Sequence, residues 1–311
     1  MNIEPKPVSA PKLARVGRWL VSGPPLAYLL MFFAIPSLIM VLASLRTPGE
    51  FGGLAPLVED GKLDLNFDSY ARFFSESIYA EIFVKSVWYA LATTLLCLAL
   101  AYPLAALITR SPRRYRDLLL LLVILPFWSN FLIRVYAWMI ILGPNAALAR
   151  TVNAVFAWFG HTEPVPLLFS SFAVLVCLVY VHLPFMVLPL YANLEKHDPA
   201  LLEAAQDLGA NAWQRFWRIT FPLSLPGVYA GAALVFIPAL GIFAIPDILG
   251  GPENSLIGNV IKQQFLETRD WPFGSVLSIV LTVAALLLAG LAAWVARHNL
   301  GTPSSVREAR A

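Results

Sequence analysis

Glu203-Ala204-Ala205-Gln206-Asp207-Leu208-Gly209, followed ten residues after the glycine by Ile219-Thr220-Phe221-Pro222, is a short polar stretch between two long hydrophobic ones. Its local chemistry spells two helices and a turn. Asp198 caps the first helix with Pro199 in its first turn, and Gly209 supplies the left-handed residue that ends it. Asn211 with Gln214 forms a capping pair for the second helix, which Pro222 is expected to close. The expectation is a helical hairpin within residues 193–222, exposed between two membrane spans.

The rest of the chain supplies the membrane. At 311 residues with 59% hydrophobic and 13% charged side chains, it has too little polar surface for a soluble globule of that size. Six stretches are long enough for a hydrocarbon core of ~30 Å: Pro24 to Leu45, Ile82 to Ile108, Leu118 to Leu142, Leu167 to Leu190, Leu223 to Ile248 and Gly274 to Ala296. Each must be helical, because an open strand edge leaves polar backbone unpaired in lipid. The fold class is therefore an all-α membrane protein with six transmembrane helices. The first span is too long for the apolar core of a secretory signal and reads as a retained anchor.

Lysine and arginine set the orientation. With both termini in the cytoplasm, fourteen of the twenty-two cations fall inside, among them Lys12, Arg18, Arg110, Arg113, Arg114, Arg116, Lys196, Arg215 and Arg218; seven fall outside and Arg134 lies within a span. The hairpin around Glu203 is then cytoplasmic. Residues 1–23 form a cytoplasmic tail, 24–297 the transmembrane domain and 298–311 a second cytoplasmic tail.

Three outer segments follow from this topology. Phe67, Tyr70, Phe73 and Phe74 recur near helical spacing before the second span, and Leu148, Val152, Val155, Phe156 and Phe159 share one helical face before Gly160. The third runs from Leu249 to Gly274. All three serve either as packing or as a platform for a protein that delivers solute.

Within the spans, a few polar residues stand out. Arg134 follows Trp128 and Asn130 and precedes Tyr136; an arginine at that depth needs a partner or a wet cavity, and structural pairing with Asp247 or with helix carbonyls is the preferred expectation. Pro238, Gly241 and Pro246 interrupt span five, and broken helices of this type are frequent at transport sites. Asp247, the carboxylate at the outer end of that span, is the best candidate for a cation contact. Tyr180 and His182 beside Pro184 make a similar interruption in span four, though a lone histidine beside a proline is more often a packing hydrogen bond. The solute-pathway candidates are thus Trp128, Asn130, Arg134, Tyr136, Tyr180, His182 and Asp247.

Several classes are excluded or disfavoured. No G-x-x-x-x-G-K-[ST] phosphate loop is present, and the longest cytoplasmic stretch, about thirty residues, is shorter than the ~50 of a small domain. If ATP drives this protein, another subunit hydrolyses it. Catalytic triads, paired intramembrane carboxylates and metal-ligand spacings are missing from the sequence, and no basic stripe interleaved with aromatics suggests nucleic acid. Cys97 and Cys177 lie inside spans as small apolar residues. A secondary transporter or a membrane enzyme has no evident use for one conspicuous cytoplasmic hairpin.

The hairpin matches the EAA-x(3)-G-x(9)-I-x-L-P loop of ABC importer permeases, with Phe221 in the leucine place. Further runs, among them Pro126-Phe127-Trp128, Tyr136-Ala137-Trp138, Leu142-Gly143-Pro144-Asn145, Leu183-Pro184-Phe185 and Arg269-Asp270-Trp271-Pro272-Phe273-Gly274, resemble the permease subunits of spermidine/putrescine-type ABC importers over roughly residues 20 to 297. The resemblance implies a type I importer fold in the bacterial inner membrane and a heterodimer with a second homologous permease. It also implies two copies of a cytoplasmic ATPase that hold ATP and Mg, and an extracytoplasmic solute-binding protein. Glu203, Ala204, Ala205, Gly209, Ile219 and Pro222 would serve the ATPase contact, with no cofactor bound by this chain. Related permeases carry amino acids, opines or ferric ion, so the solute is open between polyamines and these. Many relatives carry an acidic residue where Ile242 stands, which removes one amine ligand here. On the outer side twelve acidic residues face seven basic ones, a mild attraction for cations.

Overall fold

The computed structural model describes residues 22–56, 58–59, 62–63, 65–160 and 163–299. Apart from Ser22, Gly23, His298 and Asn299, the predicted tails at 1–23 and 298–311 lie outside the described residues, as does His161. Helix α1, Ser22–Ser44, contains a wider π turn at Leu30–Ala34. A small antiparallel hairpin follows, β1 Val58–Glu59 pairing with β2 Lys62–Leu63. Then come α2, Asp68–Ser75, and α3, Ser77–Arg110. At 34 residues and 1.5 Å per residue, α3 is about 50 Å long and outreaches a ~30 Å hydrocarbon core.

Span three departs from the single helix expected over Leu118 to Leu142. Helix α4, Arg113–Ile124, passes through a 3₁₀ turn at Leu125–Trp128 and stops; α5, Phe131–Leu142, begins anew. Ser129 and Asn130 are extended, and the Asn130 side chain accepts from the Leu132 N–H at 2.8 Å, an N-cap that the sequence pattern hid inside an apolar run. Helix α6, Ala147–Trp158, is the helix expected around Val152.

Helix α7, Ser171–Leu194, leads to the polar hairpin, α8 Pro199–Asp207, and then to α9, Ala212–Gly241. Pro222 does not close a helix, contrary to expectation. A π turn at Phe216–Thr220 widens the backbone, with the Phe221 N–H bonded to the Phe216 carbonyl, and α9 continues unbroken through the proline. The wider turn relieves the clash between a proline ring and the carbonyl four residues before it. Span five, expected to run to Ile248, ends instead at Gly241; Ile242 is extended and α10, Ala244–Leu249, starts afresh. Helix α11, Ile257–Leu266, occupies the third outer segment, and α12, Trp271–Asn299, completes the bundle.

Helices α3, α7 and α9 make the centre. In the membrane-spanning window of α7, 61% of residues are buried against 6% in α1, so α1 is an outlier at the edge of this subunit while α7 is its axis. Cys97, Ala101, Ala105 and Ile108 of α3 pack with Met186, Val187, Leu190 and Leu194 of α7 and with Val228 and Val235 of α9. Gly227 and Gly231, four apart on α9, let α7 approach closely: a Cβ on Gly227 would lie 2.7 Å from the Asn193 Cβ, and one on Gly231 2.6 Å from the Met186 sulfur. Small residues at this spacing are how membrane helices gain close packing without a hydrophobic drive between them.

Candidate functional site

The hairpin residues are held by the caps that the sequence predicts. Asp198 Oδ1 accepts from the Ala200 N–H at 3.0 Å. The first helix ends in a Schellman arrangement, Ala210 N–H to Ala205 O and Gly209 N–H to Gln206 O, both 2.9 Å, with Gly209 at φ 81°. Asn211 Oδ1 accepts from the Gln214 N–H at 2.8 Å while Gln214 Oε1 accepts from the Asn211 N–H at 3.0 Å, a reciprocal capping box. Arg215 then donates to Gln206 Oε1 at 2.8 Å, clipping the second helix to the first.

Glu203, Ala204, Gly209 and Pro222 are exposed; Ala205 and Ile219 are half-buried. No residue of α8 is buried. Two further side chains that sequence reasoning missed share this surface, Leu208 at 89% exposure and Trp213 at 70%. Both apolar side chains are left open on a hairpin capped at both helix starts.

The hairpin is bolted to the bundle. Trp217 meets Trp213, Phe216 and Phe221 at ring distances of 5.6, 5.3 and 5.0 Å, and Phe216 meets Tyr102 of α3 edge-on at 5.4 Å. The Tyr102 hydroxyl lies 2.9 Å from Ser224 Oγ. The hairpin is thus joined to α9 directly and to α3 through Tyr102.

The pathway candidates divide into two groups. At the break in span three, the Arg134 guanidinium carbon lies 5.1 Å from the Phe127 ring centroid and 5.9 Å from that of Phe131, and Phe127 meets Phe185 edge-on at 5.1 Å. His182, next in this series of rings at 6.2 Å from Phe185, is buried and donates through Nδ1 to the Leu178 carbonyl at 2.8 Å. Trp128, at 74% exposure, and Tyr136 project from the same region, while Tyr180 packs on Trp138 at 5.7 Å.

At the break in span five, Asp247 does not pair with Arg134, which corrects that expectation. Its Oδ2 accepts from Lys262 Nζ at 2.6 Å, and its Oδ1 from Asn259 Nδ2 at 3.0 Å. Asn259 also donates to the Phe243 carbonyl at 2.9 Å and accepts from the Leu256 N–H at 3.0 Å, so α11 is sewn into the backbone freed by the break. Lys262 sits fifteen residues beyond Asp247, and only the fold-back of α11 brings it there. Its ammonium is held above the usual lysine range, first by the hydrogen bond to Asp247. Ile242, at the break itself, packs against a core cluster that includes Val135, Leu178, Ile245 and Leu249.

Close by, Asn254 gathers three elements: it accepts from Tyr89 of α3 at 3.2 Å and from Ser171 of α7 at 2.8 Å, and donates to the Gly250 carbonyl at 2.8 Å. Arg72 of α2 pairs with Glu76 at 3.2 Å and Asp270 at 3.3 Å and lies over the Phe273 ring at 4.3 Å, so α2 is packed onto the bundle. Among the described residues no group of three or more His, Cys, Asp or Glu is placed to hold a metal.

Residues 98–299 match the family of binding-protein-dependent transport system inner membrane components. The chain belongs to this family: it is a multi-pass permease of the inner membrane. It is 44% identical over 262 residues to the spermidine/putrescine transport system permease proteins PotB of Salmonella typhimurium (strain LT2) and Escherichia coli (strain K12), a match over 84% of this chain and 87% and 91% of those relatives. The corresponding protein of Haemophilus influenzae is 41% identical over 84% of this chain and 88% of its own length. In fold, the chain is similar to a bacterial ABC transporter that imports the acidic polysaccharide alginate, with a TM-score of 0.67 at 20% identity over 92% of this chain and 98% of that one. An inward-facing methionine transporter, MetNI, shares the fold at a TM-score of 0.50 and 19% identity, over 72% of this chain and 99% of that one.

Proposed function

We propose that this permease passes polyamines of the spermidine and putrescine class, within an assembly of two homologous permeases, two copies of an ATPase and an extracytoplasmic binding protein. The observation that carries the solute is the match at 41–44% identity over 84% of the chain to relatives named for spermidine and putrescine. The site chemistry agrees, since Asp247 already holds an ammonium, that of Lys262, beside a helix break. Aromatic faces at Trp128 and Tyr136 suit a second ammonium group. An alginate-transporter relative in fold is recorded in complex with a ligand-bound periplasmic protein, which supports the delivery partner.

In this reading, ATP and Mg act in the partner subunit. Closure of the ATPases presses on Glu203, Ala205, Gly209, Leu208 and Trp213; the capped hairpin transmits the displacement to α9 and, through Tyr102, to α3. Alternating access then needs only a weak solute contact, because tight binding in either state traps the solute.

The test is uptake by proteoliposomes holding the complete assembly and its cognate binding protein, challenged with putrescine, spermidine, amino acids and ferric ion. Saturable, ATP-dependent uptake of the polyamines is expected. Uptake restricted to an anion, an amino acid or a metal would remove the polyamine reading and leave the family assignment intact.

A further inference from the structure

Asp247 presents an unusual arrangement for a carboxylate at a helix break. One oxygen is fixed by the neutral Asn259 amide at 3.0 Å, and Asn259 is itself tied to Phe243 and Leu256. The carboxylate is thus held by a neutral partner as well as by the lysine. Its charge is met separately by Lys262 Nζ at 2.6 Å, from a flexible four-carbon stem that is 29% exposed. The same ammonium lies 3.8 Å from Glu267 Oε1. A second carboxylate therefore stands ready to take the lysine if it leaves the first.

Beside the pair, a cavity of about 390 Å³ opens from the break, lined by Gly241, Phe243, Lys262, Phe265, Ser278 and Thr282 among others. Its aromatic walls suit a methylene chain. Ser278 and Thr282 donate to the Gly274 and Ser278 carbonyls at 2.9 and 2.8 Å, so both hydroxyls retain lone pairs that can accept from an ammonium or amine. The cavity thus offers apolar walls, acceptors and an adjoining carboxylate, the chemistry that an aliphatic amine requires.

We infer that Lys262 is a tethered competitor: it occupies Asp247 in the solute-free subunit, and the ammonium of an aliphatic amine entering the cavity displaces it toward Glu267. Asp247 is paired with an ammonium before and after the exchange, and the displaced lysine moves to Glu267, so neither state strands an unpaired Asp247 carboxylate near the membrane. A tethered ion is present at an effective concentration in the millimolar range. It weakens solute binding and so favours release. The inference rests on the polyamine reading and adds to it a residue that tunes affinity.

Binding of radiolabelled spermidine to the purified permease–ATPase assembly without the binding protein isolates this site from the affinity of the delivery protein. Lys262→Gln should bind roughly two- to fivefold tighter, the size of a partly exposed ion pair. Lys262→Arg, which restores a tethered cation, should return toward wild type, and Glu267→Gln should bind more weakly because the displaced lysine loses its second carboxylate. In an Asp247→Asn background, Lys262→Gln should have no effect. A Lys262→Gln assembly that folds and binds no tighter than wild type overturns the inference; should that variant not assemble, Glu267→Gln binding as tightly as wild type overturns it instead. Wild-type assembly that takes up no polyamine even with its binding protein overturns the polyamine reading itself, a distinct result.

Discussion

Arg215 Nη1 donates to Gln206 Oε1 at 2.8 Å across the turn at Gly209, and this bond makes the two helices of the hairpin a single lever. The lever is capped at both helix starts and fused at its far end to α9, whose aromatic base is keyed to α3 through Tyr102. Because the N–H groups of Leu208, Gly209, Ala210 and Asn211 are all bonded within the hairpin, a partner pressing on its exposed face meets a stiff body.

Gly209 tests that stiffness. At φ 81°, an alanine there is strained by about 1–2 kcal/mol, yet its Cβ meets no heavy atom of this chain within 4 Å. Gly209→Ala should therefore lower the melting temperature of the isolated permease only slightly. Gly209→Trp should leave the permease nearly as stable as the alanine variant while reducing co-purification of the ATPase. A large loss of permease stability specific to tryptophan would place an unseen intramolecular contact at the turn.

Close packing at α7 and α9 yields a sharper contrast. Gly231→Leu must displace Met186, whose sulfur is 2.6 Å from the added Cβ, and overpacking of this kind costs about 1–3 kcal/mol. Gly290→Leu on α12 meets open space. Detergent-solubilised protein analysed by size-exclusion chromatography and thermal unfolding should show a marked loss for the first and near-normal behaviour for the second. Equal behaviour of the two would contradict the helix contact.

Arg134 is expected to act structurally, as its sequence suggests, but through aromatic rings and not through Asp247. With its guanidinium between Phe127 and Phe131 and its Nε buried without a hydrogen-bond partner, its contribution is stacking at the span-three break. Lysine cannot reproduce a planar stack. Arg134→Lys and Arg134→Ala should both lower recovery of the assembled complex, with uptake per recovered complex less affected. Normal recovery with abolished uptake would assign the arginine to the pathway.

Much of the hairpin was legible because capping is local chemistry: Asp198, Gly209, Asn211 and Gln214 act within three or four residues of themselves. Both helix breaks were harder. Gly241 and Pro246 announced the one in span five, whereas Asn130 capped a new helix inside an apolar run where hydropathy alone sees continuity. Pro222 misled because a π turn, which no local signal advertised, absorbs it. Lys262 could not be matched to Asp247 from spacing, since their meeting depends on α11 folding back over the break.

The ion pair also predicts a pH dependence. Lys262 is held above its ordinary value of 10.5 by Asp247, so the pair contributes fully below that pH and is lost as pH rises through the raised value. Across neutral pH its contribution is flat. Thermal unfolding of the wild-type permease should show an added decline above about pH 10.5 that Lys262→Gln lacks; parallel alkaline profiles for the two would show that the pair adds nothing to folding.

ATP hydrolysis by the reconstituted assembly measures the proposed coupling directly. Solute-loaded binding protein should stimulate hydrolysis by the wild type, and a Glu203→Ala/Gly209→Trp permease, inserted and folded, should lose most of that stimulation while the ATPase keeps its activity when separated from the membrane subunits. Full solute-stimulated hydrolysis by the double variant would contradict the assignment of the hairpin as the coupling element.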